Sequence, residues 1–316
     1  TIANYLGAVE PIISLQKSGL KPLIFVADLH AMTDYEPDVI SKHIREVVAD
    51  YLALGIDPNE TNIFVQSQIA SNVTILMNLL ARHMSVSELL RVPTLKDKLK
   101  ANASPETANA LLLLYPVMMA ADILLQRAEQ IPVGEDQLAH LEVIREIARR
   151  FNAKYGDVFP IPKAYQIKSL RILSLKGDGK MSKSSPQGAI FLTDDPEEAA
   201  KKIKKAQTAV EGQMSDSLQS HILIAKGLSD KAENIQRIDD LIEAHMQGKA
   251  VMGEFKELMA EIVKNFLIKF QQKRAEITRD PDYITGILES GAKIAKENAD
   301  ETLNLALKAM GSEIRI

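Results

Sequence analysis

The run Lys180-Met181-Ser182-Lys183-Ser184 sets two ammonium groups three positions apart, with hydroxyls beside them. Flexible ammonium groups can follow a charge that grows and migrates, which suits a polyphosphate undergoing reaction. A Lys/Ser loop is more often a solvated turn; the complete five-residue word after an apolar run argues for phosphate. Gly134-Glu135-Asp136-Gln137 follows Ile131-Pro132-Val133, where a short strand gives way to a helix, the usual ligand edge of an open α/β sheet. Gly134 permits close backbone approach, Asp136 can accept from ribose hydroxyls, and Gln137 can hold a polar substrate group. The plainer reading is a helix start whose acids favour the dipole. Asp122 lies inside the apolar stretch Val117 to Leu125. A buried carboxylate there must be paired internally or held ready for a ligand donor. Asp28 and His30 stand at a predicted strand end and could serve acid/base chemistry or hold a metal. The other histidines, His43, His83, His140, His221 and His245, are scattered, so no metal site built on histidine is expected.

Other chemistry is limited by what the chain lacks. Neither a Gly-x-Gly-x-x-Gly fingerprint nor a Walker phosphate loop occurs, so an ordinary dinucleotide or P-loop site is not expected. The absence of cysteine removes disulfides, thiolate zinc sites and cysteine nucleophiles together. Lys+Arg 38 against Asp+Glu 42 gives −4, so the chain is not a polybasic coat for nucleic acid. A local basic face remains around Lys201, Lys202, Lys204 and Lys205, most simply a solvated one and otherwise an RNA contact. No run reaches the roughly 18 to 20 apolar residues a membrane helix needs. Thr1-Ile2-Ala3-Asn4 reads neither as a signal peptide nor as a natural start, so residues upstream are expected.

The elements that must position these residues follow from periodicity. The run Leu23 to Asp28 predicts a buried strand, and apolar residues from Val39 to Leu52 recur at helical spacing until Gly55. Asn62 to Gln66 predicts a second strand, with helical patterns through Leu90. Strand, helix, strand implies parallel pairing. Pro105 to Gln126 predicts a helix interrupted at Pro116; Ile131 to Val133 a strand; Leu138 to Phe151 a helix; Leu170 to Leu175 a strand. From Pro196 onward nearly every segment has helical periodicity. At 316 residues, against roughly 150 per domain, two units are expected. The fold class is therefore α/β: a Rossmann-like parallel sheet nucleotide-binding domain followed by an all-helical domain.

Together these pieces resemble class I aminoacyl-tRNA synthetases, and among them the bacterial-type tryptophanyl-tRNA synthetases, over nearly the whole chain. Lys180 to Ser184 matches the second class I signature. Thr1-Ile2-Ala3-Asn4 is similar to a Thr-Ile-Gly-Asn variant of the first, with Ala3 in place of its glycine and the family's first strand and Gly-x-Gln-Pro-Ser-Gly-like loop expected upstream of Thr1. Asp28-x-His30-Ala31, Met118-Met119-Ala120-Ala121-Asp122 and Gly253-x-Phe255-Lys256 resemble further family segments.

The resemblance implies activation of tryptophan by ATP and transfer to the 3′ end of tRNA(Trp). Catalysis would fall to Thr1, Asn4, Lys180, Ser182 and Lys183. ATP would be held by Asn4, Gly134, Asp136, Ile172, Lys180, Met181, Ser182 and Lys183. Tryptophan would be held by His30, Tyr115, Met119, Asp122, Val133 and Gln137, with Asp122 accepting from the indole nitrogen. Mg2+ would arrive with ATP rather than in a protein cage. The resemblance further implies residues 1–184 as the catalytic domain, 185–290 as a helical anticodon-binding domain, and a final helix, 291–316, packing back on the first. A homodimer built through Ala81 to Lys98, whose apolar positions lack an obvious internal partner, and a cytoplasmic location complete the expectation. Two alternatives stand beside it: a tyrosyl-tRNA synthetase, because a phenol can also donate to Asp122, and a non-catalytic paralogue acting as a binding module.

Overall fold

The computed structural model describes residues 1–93, 95–96, 109–134, 137–166, 170–177 and 179–312. The described chain forms two compact units, each assembled from separate stretches: Thr1–Leu20, Ala49–Asp57 and Ser169–Pro281 in one, and Lys21–Val48, Pro58–Lys168 and Asp282–Ile316 in the other.

The second unit holds the strands. β1 (Leu23–Val26) pairs with β2 (Asn62–Val65) in parallel, with Val26 opposite Val65, and β3 (Gln130–Val133) pairs with β4 (Lys163–Gln166), also in parallel. A parallel pair needs a crossover, and helix Pro37–Leu54 supplies the first one. Pro37 suits its first turn because proline lacks only an N–H that would be orphaned there. Gly55, at φ +112°, lies just past its end in the left-handed region open to glycine. Leu138–Tyr155 supplies the second crossover.

Helix Leu138–Tyr155 and the helices that follow β2 bury their apolar faces in one core. Phe64 of β2, Val73, Leu76 and Leu80 of helix Ala70–Ala81, and Val117, Ala121 and Leu124 of helix Ala110–Leu125 meet Ile144 and Phe151 of Leu138–Tyr155. Ala295, Ala299 and Leu303 of the terminal helix Pro281–Ala309 join the same core. That helix comes so close to β2 that a Cβ on Gly291 would stand 2.0 Å from the Ile63 carbonyl oxygen.

The first unit is helical, with caps legible in the sequence. Asp195 accepts from the Glu197 and Glu198 amides at 2.9 and 3.0 Å to start Pro196–Lys204, and Ser215 accepts from Leu218 at 3.0 Å to start Asp216–Leu228. With Ala232–Met246 and Met252–Thr278 they enclose Ile203, Leu218, Ile224, Phe255, Met259 and Val263.

Several expectations are corrected. Pro116 does not interrupt its helix, which runs unbroken from Ala110 to Leu125 with Pro116 buried within it. Proline there removes one intrahelical bond, and packing on both sides outweighs that local cost. Leu170 to Leu175 is not a strand; Leu173 forms only an isolated antiparallel bridge to Lys180. Gly177 and Gly179, at φ +75° and +109°, turn the chain back so that its pairing is local. β4 went unpredicted because Lys-Ala-Tyr-Gln carries no apolar run. β1 ends at Val26 and is half-buried throughout, and Asp28 opens a helical turn instead. Leu89, Val92 and Leu95 lie in the core, so much of the Ala81 to Lys98 segment does have internal partners.

Candidate active site

Asp122 stands on the buried face of helix Ala110–Leu125, 4% exposed. Asn109 caps that helix by accepting from the Leu112 amide at 2.8 Å. The carboxylate is met from the two segments that follow β1 and β2. His30, on the turn Asp28–Ala31, places Nε2 2.9 Å from Asp122 Oδ2. Gln66, at the head of the 3₁₀ turn Gln66–Ile69, donates from Nε2 to Oδ1 at 2.9 Å and to Oδ2 at 2.8 Å. When the Asp122 carboxyl is ionised it only accepts, and His30 then donates from Nε2.

Burial pushes the Asp122 carboxyl above the usual carboxylate range, while the bonds from His30 and Gln66 pull it back. Oδ2 receives both His30 and Gln66, whereas Oδ1 receives Gln66 alone. Oδ1 therefore retains acceptor capacity for one donor on a ligand.

The surroundings are apolar and aromatic. The Tyr115 ring stands edge-on to His30 at 6.4 Å and to His140 at 5.9 Å. Met119 and Val133 are partly buried against the same core. Gly134 follows β3 and its carbonyl accepts from the Gln137 amide at 3.0 Å, which starts helix Leu138–Tyr155. Asp136 lies outside the described residues. Asp28 Oδ1 accepts from the Leu29 and Ser67 amides, both at 3.0 Å, tying the turn after β1 to the turn after β2.

The phosphate-type residues sit in the first unit. Thr1 caps a short helix, Ile2–Asn4, and its Oγ1 donates to Asn4 Oδ1 at 2.5 Å. A π-helical turn, Tyr5–Val9, follows directly. Ile2 and Leu6 enter the same core as Ile172 and Met181. Met181 is 3% exposed and bonds through its amide to the Ile172 carbonyl at 3.0 Å, so it pins the loop while Lys180 and Lys183 on either side stay exposed. Ser182 and Ser184 share a hydroxyl bond of 2.8 Å. Ile172 is fully enclosed in this core.

Of the basic face, Lys201 is paired with Glu198 at 2.7 Å and Lys202 with Asp194 at 2.8 Å; Lys204 and Lys205 are exposed. The sequence marks Gln66 only as the end of a predicted strand. Its only local signal was a polar residue ending an apolar run, which strand ends often show.

Residues 1–268 match the class I tRNA synthetases for tryptophan and tyrosine, and the chain belongs to that family. It is 36% identical to the tryptophan–tRNA ligase of Halalkalibacterium halodurans over 98% of this chain and 94% of that protein. The Bacillus subtilis tryptophan–tRNA ligase gives the same identity and coverage. The Campylobacter jejuni tryptophanyl-tRNA synthetase complexed with ADP and tryptophan superposes with a TM-score of 0.81 at 30% identity, covering 98% of this chain and 95% of that one. The Mycoplasma pneumoniae tryptophanyl-tRNA synthetase does so at 0.84 and 31%, covering 98% and 93%.

Proposed function

We propose that the chain activates tryptophan with ATP and charges tRNA(Trp). The tryptophan carboxylate attacks the α-phosphate, tryptophanyl-adenylate forms, pyrophosphate leaves, and the tryptophanyl group passes to the 3′ end of the tRNA. The observation that carries this reading is Asp122: a buried carboxylate, held by two donors, with one oxygen still able to accept, set among apolar side chains. Tryptophan is its complement, an apolar ring system with one N–H donor. A phenol could donate there too, but the relatives named above are tryptophan enzymes over 98% of the chain, which disfavours both tyrosine and a purely binding role.

In this reading His30, Tyr115, Met119, Val133 and Gln137 surround the amino acid with Asp122. Lys180, Ser182, Lys183, Thr1 and Asn4 act on the phosphates of ATP, and Gly134 with Asp136 on its ribose. The nucleophile is already an anion, so the reaction needs positioning and stabilisation of the departing pyrophosphate rather than a strong base. Magnesium enters as the ATP complex. Among the described residues no three acidic or histidine side chains stand together as a metal cage. Residues 1–184 supply the activation chemistry and 185–290 meet the anticodon. A homodimer involving the Ala81 to Lys98 segment, where Val86 is 59% exposed, and a cytoplasmic location belong to the same reading. Among the described residues no helix is long and apolar enough to cross a membrane.

The test is exchange of labelled pyrophosphate into ATP by the full-length protein. Tryptophan should support it and tyrosine should not. No exchange with tryptophan overturns the reading.

A further inference from the structure

Gln66 is wholly buried, and both ends of its amide are used. Nε2 spans the two Asp122 oxygens at 2.9 and 2.8 Å, and Oε1 accepts the His30 backbone N–H at 3.3 Å. His30 then returns to Asp122 through Nε2 at 2.9 Å. The bonds close a ring of three residues from three elements: the turn after β1, the turn after β2 and helix Ala110–Leu125. Because β1 and β2 run parallel with Val26 opposite Val65, His30 and Gln66 leave the same end of that ladder.

This ring has a directional consequence. A carboxylate on a free Asp side chain rotates about its terminal torsion, which is broad and roughly two-fold. Here the Gln66 amide bridges both oxygens and His30 takes only Oδ2, so the carboxylate plane is locked and the less occupied oxygen is always Oδ1. Gln66 also couples the backbone of His30 to that orientation.

We propose that Gln66 is a positioning residue for substrate specificity: it fixes Asp122 so that Oδ1 meets the indole N–H of tryptophan. The proposal rests on Asp122 being the indole acceptor. Gln66 itself need not touch the substrate.

The test compares two substrates in adenylate formation by the full-length protein: tryptophan, and the alanine derivative bearing benzothiophene, which keeps the ring shape but has sulfur in place of N–H. Gln66→Met keeps the length and removes the donor to both Asp122 oxygens and the acceptor for His30. It should raise KM for tryptophan roughly 10-fold, the scale of one hydrogen bond to a charged group, with a much smaller change in kcat. KM for the benzothiophene analogue should hardly move, so the preference for tryptophan collapses. Gln66→Leu, of similar size and with neither donor nor acceptor, should collapse the same preference, and with its fold checked by circular dichroism it guards against a defect peculiar to the first variant. An equal rise in KM for both substrates would make Gln66 a packing residue and overturn the proposal. Asp122→Asn separates the two layers. If it abolishes the preference while both Gln66 variants retain it, the positioning role alone fails. If Asp122→Asn lowers neither the preference nor the affinity for tryptophan, the indole assignment fails and the proposal falls with it.

Discussion

Asp122 Oδ2 and His30 Nε2 lie 2.9 Å apart although 92 residues separate them in the chain, and the same carboxylate is bridged by Gln66. A buried anion with this many donors is stable enough to wait for a ligand, and its remaining acceptor capacity sets what that ligand must offer.

Asp122→Asn keeps the shape of the side chain and removes its charge. Tryptophan binding should weaken by about 1.5 to 3 kcal/mol, the scale of a charge-assisted hydrogen bond. ATP binding should change far less. Equilibrium binding of each substrate checks this, and equal tryptophan affinity in a folded variant removes Asp122 from the site.

Lys180 and Lys183 are exposed on either side of the buried Met181, a placement suited to a group that engages late. Lys180→Ala or Lys183→Ala should slow adenylate formation by roughly 10²-fold, as for loss of one transition-state donor, with little change in substrate affinity. Combined with changes at Thr1 or Asn4 the effects should be non-additive, because all four would act on the same phosphates. Single-turnover rates at saturating ATP decide it. A change confined to the apparent ATP affinity makes the loop a ground-state anchor.

Gly291 marks the closest approach of the terminal helix to β2. Because the added Cβ of Gly291→Ala would stand 2.0 Å from the Ile63 carbonyl oxygen, backbone must move. Overpacking of this kind costs about 1 to 3 kcal/mol. The urea midpoint should fall accordingly. An unchanged midpoint would mean that the helix slides away freely.

His221 is 1% exposed, and burial, followed by repulsion from Lys256, lowers its pKa from 6.5 to about 4. A depressed histidine is held neutral in the folded state, so the unfolded chain binds more protons between those two values. Its contribution to stability is present above pH 6.5 and is lost as pH falls through about 4. The shift corresponds to about 3 kcal/mol across that window. Denaturation of His221→Leu across this range should show a flatter acid limb than the parent, and parallel pH profiles would contradict the assignment.

Much of this protein is written in local words. Lys180 to Ser184, the acid inside an apolar helix, the glycine after Ile131-Pro132-Val133, and the caps Asp195 and Ser215 each declare themselves within a few residues, because capping, turn chemistry and helical spacing are short-range. They were enough to read an α/β part, a helical part and a chemistry of phosphates and a buried acceptor.

What the tertiary structure alone decided is long-range. Whether Pro116 breaks its helix depended on the packing around it, and whether Leu170 to Leu175 joins a sheet depended on the glycines that return it to Lys180. Lys163–Gln166 became a strand only because Gln130–Val133 lay beside it to accept its pairing. Gln66 is the sharpest case. Nothing within its own neighbourhood distinguishes it from any glutamine at a strand end, since its meaning lies in a carboxylate 56 residues away and a backbone amide 36 residues away. Sequence patterns report what a residue can do to its near neighbours; the position of a buried charge, and the donors that orient it, are set by where chain folding brings distant segments together.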